Sequence, residues 1–289
     1  MRASAALFAL VCVACVETVP PPHRLGRPER SDAHLAVSWI GHATMLIQID
    51  DRFVLTDPIL VDSIGGGVSR RKVGVPIDPR DLPPLDAVLI SHMHFDHLSL
   101  DSLGKIEHRV HRAYMPQGGL VYLSNMAFDA VDVRRWETME DRGMQITAVP
   151  VDHVGNRYQL DTWMHSFTGW VVRYHGVTVY VSGDTAYTGA DFRATRERIG
   201  HIDLALLAIA PIHPRNFMKA VHMDPDEALA AFADLGADRM IPMHFDTFVD
   251  STDKPHEARD RLAFLAREKN LGDRVRILEI GQQAVVLPK

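Results

Sequence analysis

One α/β domain, two sheets with helices packed outside them, is the fold class this sequence predicts. Three observations carry that expectation. From about residue 33 onward, short apolar runs of strand length alternate with stretches of helical pattern. No internal repeat or compositional break interrupts residues 33–289. The 289 residues are 46% hydrophobic, a content that suits a globular core. A net charge of −6 leaves no basic footprint for nucleic acid, and no internal run is long and apolar enough to span a bilayer.

In chain order, "LAVSWI", "TMLIQI" and "RFVLTDP" read as successive antiparallel strands, with Asp50-Asp51 at a tight turn. The 61–80 stretch contains "SIGGGVSRRK" and reads as a mobile loop, in which Arg70, Arg71 and Lys72 are placed to meet anionic headgroups. "LDAVLIS" is a continuous apolar run between Pro83-Pro84 and a histidine cluster, which suits a buried central strand. "MQITAVPV", "GWVVRYH", "GVTVYVSGD" and "IDLALLAIAP" repeat the strand theme. Helices are expected over 98–106, 190–199, 224–235 and 255–269. The third has Asp224 as N-cap and Pro225 in the first turn.

The amino terminus differs from the rest. Met1-Arg2 is basic, residues 3–14 are almost wholly apolar, and "VETVPPPHRLGRPERSD" follows Cys15. This has the form of an export signal, so residues 1–14 are expected to be a signal peptide and 15–32 a proline-stiffened tether. Cys12 and Cys15 form a C-x-x-C without the strand–helix surroundings of a redox motif. "CVAC" is closer to a bacterial lipoprotein signal, in which Cys15 is lipidated and holds the exported chain at a membrane of the cell envelope. A plain cleaved signal or a signal anchor is the alternative. Because both cysteines lie in this segment, the mature domain has neither a disulfide nor a thiolate metal ligand.

"SHMHFDHLS" gives the site. In an extended chain His92, His94 and Asp96 share a side, and His97 follows where the chain turns toward the next helix. Imidazoles and a carboxylate are the ligand set for zinc or another borderline divalent ion. One ion cannot readily use all four from so short a segment, whereas two neighbouring ions can. His153, Asp184 and His244 each follow a strand-like run and complete the set. His92, His94 and His153 would hold one ion; Asp96, His97 and His244 would hold the other; Asp184 would bridge them. Water between two such ions is a nucleophile at neutral pH.

The order H-x-H-x-D-H, then His153, Asp184 and His244, resembles the metallo-β-lactamase fold hydrolases. "SWIGHAT", "LTDPIL", "LPPLDAVLISHMHFDHLS", "GDTAY", "PRNFMKAVHMDPDEAL" and "PMHFDTF" are similar to their N-acyl-phosphatidylethanolamine phospholipase D branch. The resemblance implies a four-layer αβ/βα sandwich with a dimetal site, with Zn²⁺ the expected metal, at one edge of facing sheets. It also implies that Asp96 and Asp184 act in catalysis, that His222 and Arg215 meet the substrate, and that His42 and Asp57 support the ligands. The substrate class it implies is a phospholipid-like phosphodiester; rivals are a lactonase similar to the ascorbate-phosphate lactonases and a non-catalytic, surface-anchored metal-binding protein. A true β-lactamase fits less well, since many of those use a cysteine ligand.

Overall fold

The computed structural model describes residues 17–123, 125–158, 165–249 and 251–289. The expected signal peptide, with Cys12 and Cys15, lies outside the described residues. The chain opens with three antiparallel strands, β1 (Ala33–Gly41), β2 (Thr44–Ile49) and β3 (Arg52–Thr56), followed by a small hairpin of β4 (Ser63–Ile64) and β5 (Ser69–Arg70). Then come β6 (Leu85–Leu89), helix α1 (Leu100–Ile106), β7 (Val110–Pro116) and β8 (Asp129–Val133). The second half supplies β9 (Thr138–Asp141), β10 (Met144–Val149), β11 (Gly169–Tyr174), β12 (Val177–Val181), α2 (Gly189–Ile199), β13 (Leu204–Ala208), the short α3 (Arg215–Met218), α4 (Pro225–Leu235), β14 (Arg239–Met243), α5 (Glu257–Glu268) and β15 (Gln283–Pro288).

These strands form two large mixed sheets, ordered β15-β1-β2-β3-β6-β7-β8 and β14-β13-β12-β11-β10-β9. In the first, β3, β6, β7 and β8 run parallel; in the second, β12, β13 and β14 do. Period-two alternation divides each strand between two faces. On β6, Ala87 and Leu89 point to the interior between the sheets, and Val88 to the outer face. Val37, Trp39 and Ile47 meet Ile146, Trp170 and Val172 in that interior. The far side of the second sheet is covered through Phe192, Phe232 and Leu262 of α2, α4 and α5, and the far side of the first through Leu103 and Ile106 of α1. The result is helix, sheet, sheet, helix, as the resemblance implies.

Local chemistry explains the helix starts. Asp224 accepts from the Glu227 amide at 2.9 Å while Glu227 reaches back to the Asp224 amide, a capping box ahead of Pro225. Ser99 caps α1 by accepting from the Ser102 amide.

Two expectations change. The proline-rich 17–32 stretch is not a free tether. The Val19 amide donates to the Lys72 carbonyl and the Gly74 amide to the Val19 carbonyl, both at 2.9 Å, and the Leu25 amide donates to the Pro76 carbonyl at 3.0 Å. Further on, Gln48 exchanges two hydrogen bonds with the backbone of Arg30. Proline removes amide donors, yet the remaining amides find partners on the body. Arg71 is likewise no surface cation available to headgroups. It is fully buried, its guanidinium donates to the carbonyls of Ile59 (2.7 Å) and Ile40 (3.4 Å), and it lies over the Phe248 ring. The hairpin β4–β5 and this anchor order the 61–80 stretch that glycine content presents as mobile.

Candidate metal centre

All seven expected ligands come together beyond the carboxyl ends of β6, β10, β12 and β14. The β6 strand delivers Ser91 and His92, and the chain then turns, with the His97 and Leu98 amides both donating to the His94 carbonyl. His153 follows β10, Asp184 follows β12 and His244 follows β14. The carboxyl ends of these strands thus meet at one rim of the facing sheets, where such folds place their ligands. The two sheets are stitched together beside the site by the Thr168 amide donating to the Ser91 carbonyl at 2.8 Å.

His92, His97, His153, Asp184 and His244 are buried; His94, Asp96 and His222 are half-buried. Ring nitrogens face each other, His92 Nε2 at 2.9 Å from His94 Nδ1 and His97 Nε2 at 3.1 Å from His244 Nε2. Asp184 lies between the groups. Its Oδ1 is 3.1 Å from His244, and its Oδ2 is 3.2 Å from His97, 3.8 Å from His92 and 3.9 Å from His153. Three sets of donor atoms each fall within 4.8 Å of one another: His92, His94 and His153; His92, His97 and Asp184; and His42, Asp96, His97 and His244.

Electrostatics point to a cation. Burial alone would raise the Asp184 carboxyl, yet the imidazoles of His244, His97 and His222 hold it well below the usual carboxylate range. Burial likewise opposes charge on His97, and the carboxylates of Asp184, Asp57 and Asp96 overcome it and raise that imidazole well above its ordinary value. This cluster of buried and half-buried carboxylates calls for positive charge among them, which divalent ions would supply. His92 and His153 are pushed well down by burial first and by neighbouring imidazoles, so they stand as neutral donors. His153 Nε2 is buried with no hydrogen-bond partner among the described residues, an orphan that a metal bond would satisfy. The donor set fits zinc or a similar divalent ion.

The atoms behind the ligands fix their orientation. His97 Nδ1 lies 2.8 Å from Asp57 Oδ2, His153 Nδ1 donates to the Val221 carbonyl at 2.9 Å, and His42 Nε2 lies 3.0 Å from Asp96 Oδ2. His42 and Asp57 thus have the supporting places the resemblance implies. Sequence reasoning missed Ser91, whose amide and hydroxyl both donate to Asp57, at 2.7 and 2.6 Å, and whose oxygen is 3.0 Å from His92 Nδ1. Its place between the apolar run and the histidines was the available signal. Gly183 makes room for it: the backbone there has φ +58°, and a methyl group would sit 2.4 Å from the Ser91 side chain.

Above the donors opens a cavity of about 510 Å³. Its floor is His94, Asp96, His153, Asp184, His222 and His244, and its walls include Phe95, Val154, Pro211, Phe217 and Met218. His222 Nδ1 lies 3.7 Å from Asp184 Oδ2, and burial first of all pushes this imidazole down to about 4. Arg215, expected at the substrate, is not on the lining. Its guanidinium pairs with Asp224 at 3.2 Å and with Glu227, and donates to the His222 carbonyl at 3.1 Å. In this arrangement it holds the His222 turn against the start of α4.

Comparison with known proteins agrees with this geometry. Residues 52–245 match the family model described as the beta-lactamase superfamily domain. The chain is 30% identical over 274 residues to an N-acyl-phosphatidylethanolamine-hydrolyzing phospholipase D of Caenorhabditis elegans, covering 88% of this chain and 76% of that protein. It is 30% identical over 221 residues to a metal-dependent hydrolase of Methanosphaerula palustris, covering 74% of this chain and 85% of that one. It spans 58% and 61% of two further curated relatives. Among solved structures, a possible metal-dependent hydrolase from Veillonella parvula superposes with a TM-score of 0.69 at 19% identity, covering 86% of this chain and 98% of that one. The chain belongs to the metallo-β-lactamase superfamily of metal-dependent hydrolases, with N-acyl-phosphatidylethanolamine phospholipases D among its relatives.

Proposed function

We propose that this protein is a two-metal phosphodiesterase of phospholipase D type acting on N-acyl-phosphatidylethanolamine-like lipids. The observation that carries this reading is the cavity itself, with buried imidazoles and carboxylates on its floor and aromatic and aliphatic walls above. A phosphodiester needs the first and acyl chains need the second, so the shape suits an amphiphile better than a fully soluble ester. The relative from Caenorhabditis elegans carries that activity in its name.

Divalent ions held by His92, His94, His153, Asp96, His97, His244 and a shared Asp184 would polarise the phosphoryl oxygens and make water acidic enough to attack at neutral pH. In the reaction a water oxygen bonds to phosphorus and the bond from phosphorus to the N-acylethanolamine oxygen breaks. That alcohol leaves with a proton, and phosphatidic acid remains. Asp184 keeps its negative charge in this environment and fixes the ligands around it. His222 is neutral at pH 7, so one ring nitrogen holds a proton that can hydrogen-bond a phosphate or leaving-group oxygen. Phe95, Val154 and Phe217 give the acyl chains a dry wall.

The test is to incubate purified full-length protein with N-acyl-phosphatidylethanolamine, a mixed bacterial lipid extract and a panel of lactones, and to identify products by mass. Phosphatidic acid and free N-acylethanolamine are expected. Opened lactones with untouched lipids would replace this reading with a lactonase, and bound metal without any turnover would leave a binding protein.

A further inference from the structure

The chain between the start of α3 and the start of α4, residues 215–224, serves the centre twice. The Val221 carbonyl accepts from His153 Nδ1 at 2.9 Å, which leaves His153 Nε2, 3.9 Å from Asp184 Oδ2, as the donor atom for an ion. The next residue is His222, whose Nδ1 lies 3.7 Å from the same carboxylate oxygen and whose ring lines the cavity. Bonds within the loop give it shape. The Val221 and His222 amides both donate to the Met218 carbonyl, at 2.9 and 2.7 Å. Met223, just beyond, is buried in the core. What these contacts leave open is the direction in which the two peptide groups flanking His222 face.

Arg215 supplies the missing constraint. Its guanidinium donates to the His222 carbonyl at 3.1 Å, pairs through Nε with Asp224 at 3.2 Å and pairs through Nη2 with Glu227. The peptide before His222 is thus held by His153 and the peptide after it by Arg215. Peptide groups are planar, so pinning both sets φ and ψ of His222 and with them the direction of its side chain. Three acceptors around one guanidinium suit the planar fork of arginine and not the point charge of lysine. Lys219 Nζ, 4.0 Å from Glu227, adds a second cation to the two carboxylates, so the pairing keeps the guanidinium where it is.

We propose that Arg215 is a positioning residue: it clasps the 215–224 loop to the start of α4, aims the His222 imidazole into the cavity and keeps the Val221 carbonyl on the metal ligand His153. The effect on turnover rests on the function proposed above, whereas the effect on His153 needs only that this imidazole hold a metal. The helix itself does not depend on the clasp. Asp224 still accepts from the Glu227 amide, Pro225 still opens the first turn, and Ala228, Leu229 and Phe232 stay buried. Removing the guanidinium therefore loosens the loop and spares α4. A partner that orients a ligating histidine governs metal affinity as well as geometry, so one arginine acts on both halves of the site.

The test compares full-length wild type with R215M, R215K and a control, R261M, which removes the exposed pair of Arg261 with Asp226, 2.8 Å apart, from the same turn of α4. In R215M, amide hydrogen exchange at 219–222 should be about tenfold faster, with 228–235 unchanged. Zn²⁺ should pass to a chromophoric chelator with roughly tenfold weaker retention of one ion, and the visible bands of the Co²⁺-loaded protein should shift. On detergent-dispersed N-acyl-phosphatidylethanolamine, kcat should fall about tenfold, yet R215M should cost nothing further in an H222A background, because the arginine acts through that imidazole. R215K should recover only part of each loss, and R261M should match wild type throughout. Wild-type exchange and zinc retention in R215M, or full recovery in R215K, would overturn the clasp. Faster exchange along all of α4, or an undiminished loss on top of H222A, would make Arg215 a general structural support and overturn it too. No lipid product from any form, with the exchange and zinc effects as expected, would sink the phospholipase reading and keep the clasp at His153.

Discussion

Asp184 concentrates the electrostatics of the centre in one buried carboxylate, within 3.9 Å of the imidazoles of His92, His97, His153, His222 and His244. Asp184→Asn keeps the shape and removes the charge. It should lose most bound metal and all measurable turnover, with metal content read by elemental analysis. His222 behaves differently, because it faces the cavity and lies outside the donor sets. His222→Ala should keep full metal content and the fold while kcat falls by roughly a hundredfold; unchanged turnover, or a lost metal, would remove it from catalysis. The cluster of candidate donors was legible in the sequence because metal chemistry dictates both residue type and close spacing, as in His92–His97. Ser91 and Arg71 were not. Their partners Asp57 and Ile40 lie 34 and 31 positions away, and no local pattern announces a serine that supports an aspartate or an arginine that binds carbonyls. Arg71→Met should strand those carbonyls and cost about 2–4 kcal/mol of stability, read from the denaturant midpoint; a shift near zero would show that water replaces the guanidinium.

Elements were legible wherever burial is continuous or a cap is explicit. β6, β11, β12 and β13 are runs buried on both faces, and α4 begins at the Asp224–Pro225 signal. β7 was hidden because His111, Arg112 and Tyr114 interrupt its apolar pattern. Asp141 of β9 satisfies all three, at 3.2, 2.8 and 2.9 Å, a pairing visible only once the sheets face each other. β15 is a half-buried edge strand that pairs with β1 across most of the chain length, so it too has no local signature. The turn after β12 carries a prediction of its own. Gly183→Ala adds a methyl group 2.4 Å from the Ser91 side chain and strains a left-handed backbone, so Ser91 must move and take Asp57 and His97 with it. Stability should fall by about 1–3 kcal/mol, and metal affinity with it. Retention of wild-type metal binding would show that the Ser91–Asp57 support is dispensable.

At the scale of the whole molecule, two mixed sheets bring distant loops to one rim; His97 and His244, 147 positions apart in sequence, end with their ring nitrogens 3.1 Å apart. The helices on the outer faces cover the far sides of both sheets. The prolines of the amino-terminal stretch predict a tether, yet it runs along the body, because backbone groups on the 71–76 segment offer partners that composition cannot reveal. The body, the cavity and the described amino-terminal stretch are therefore one unit with a defined orientation. Under the proposed function, two divalent ions share this centre and its Asp184. Elemental analysis of purified, fully active full-length protein, set beside Asp184→Asn, tests that most directly: about two divalent ions per wild-type chain and fewer than one in the variant are expected, and full activity with a single ion or none would contradict a two-metal centre.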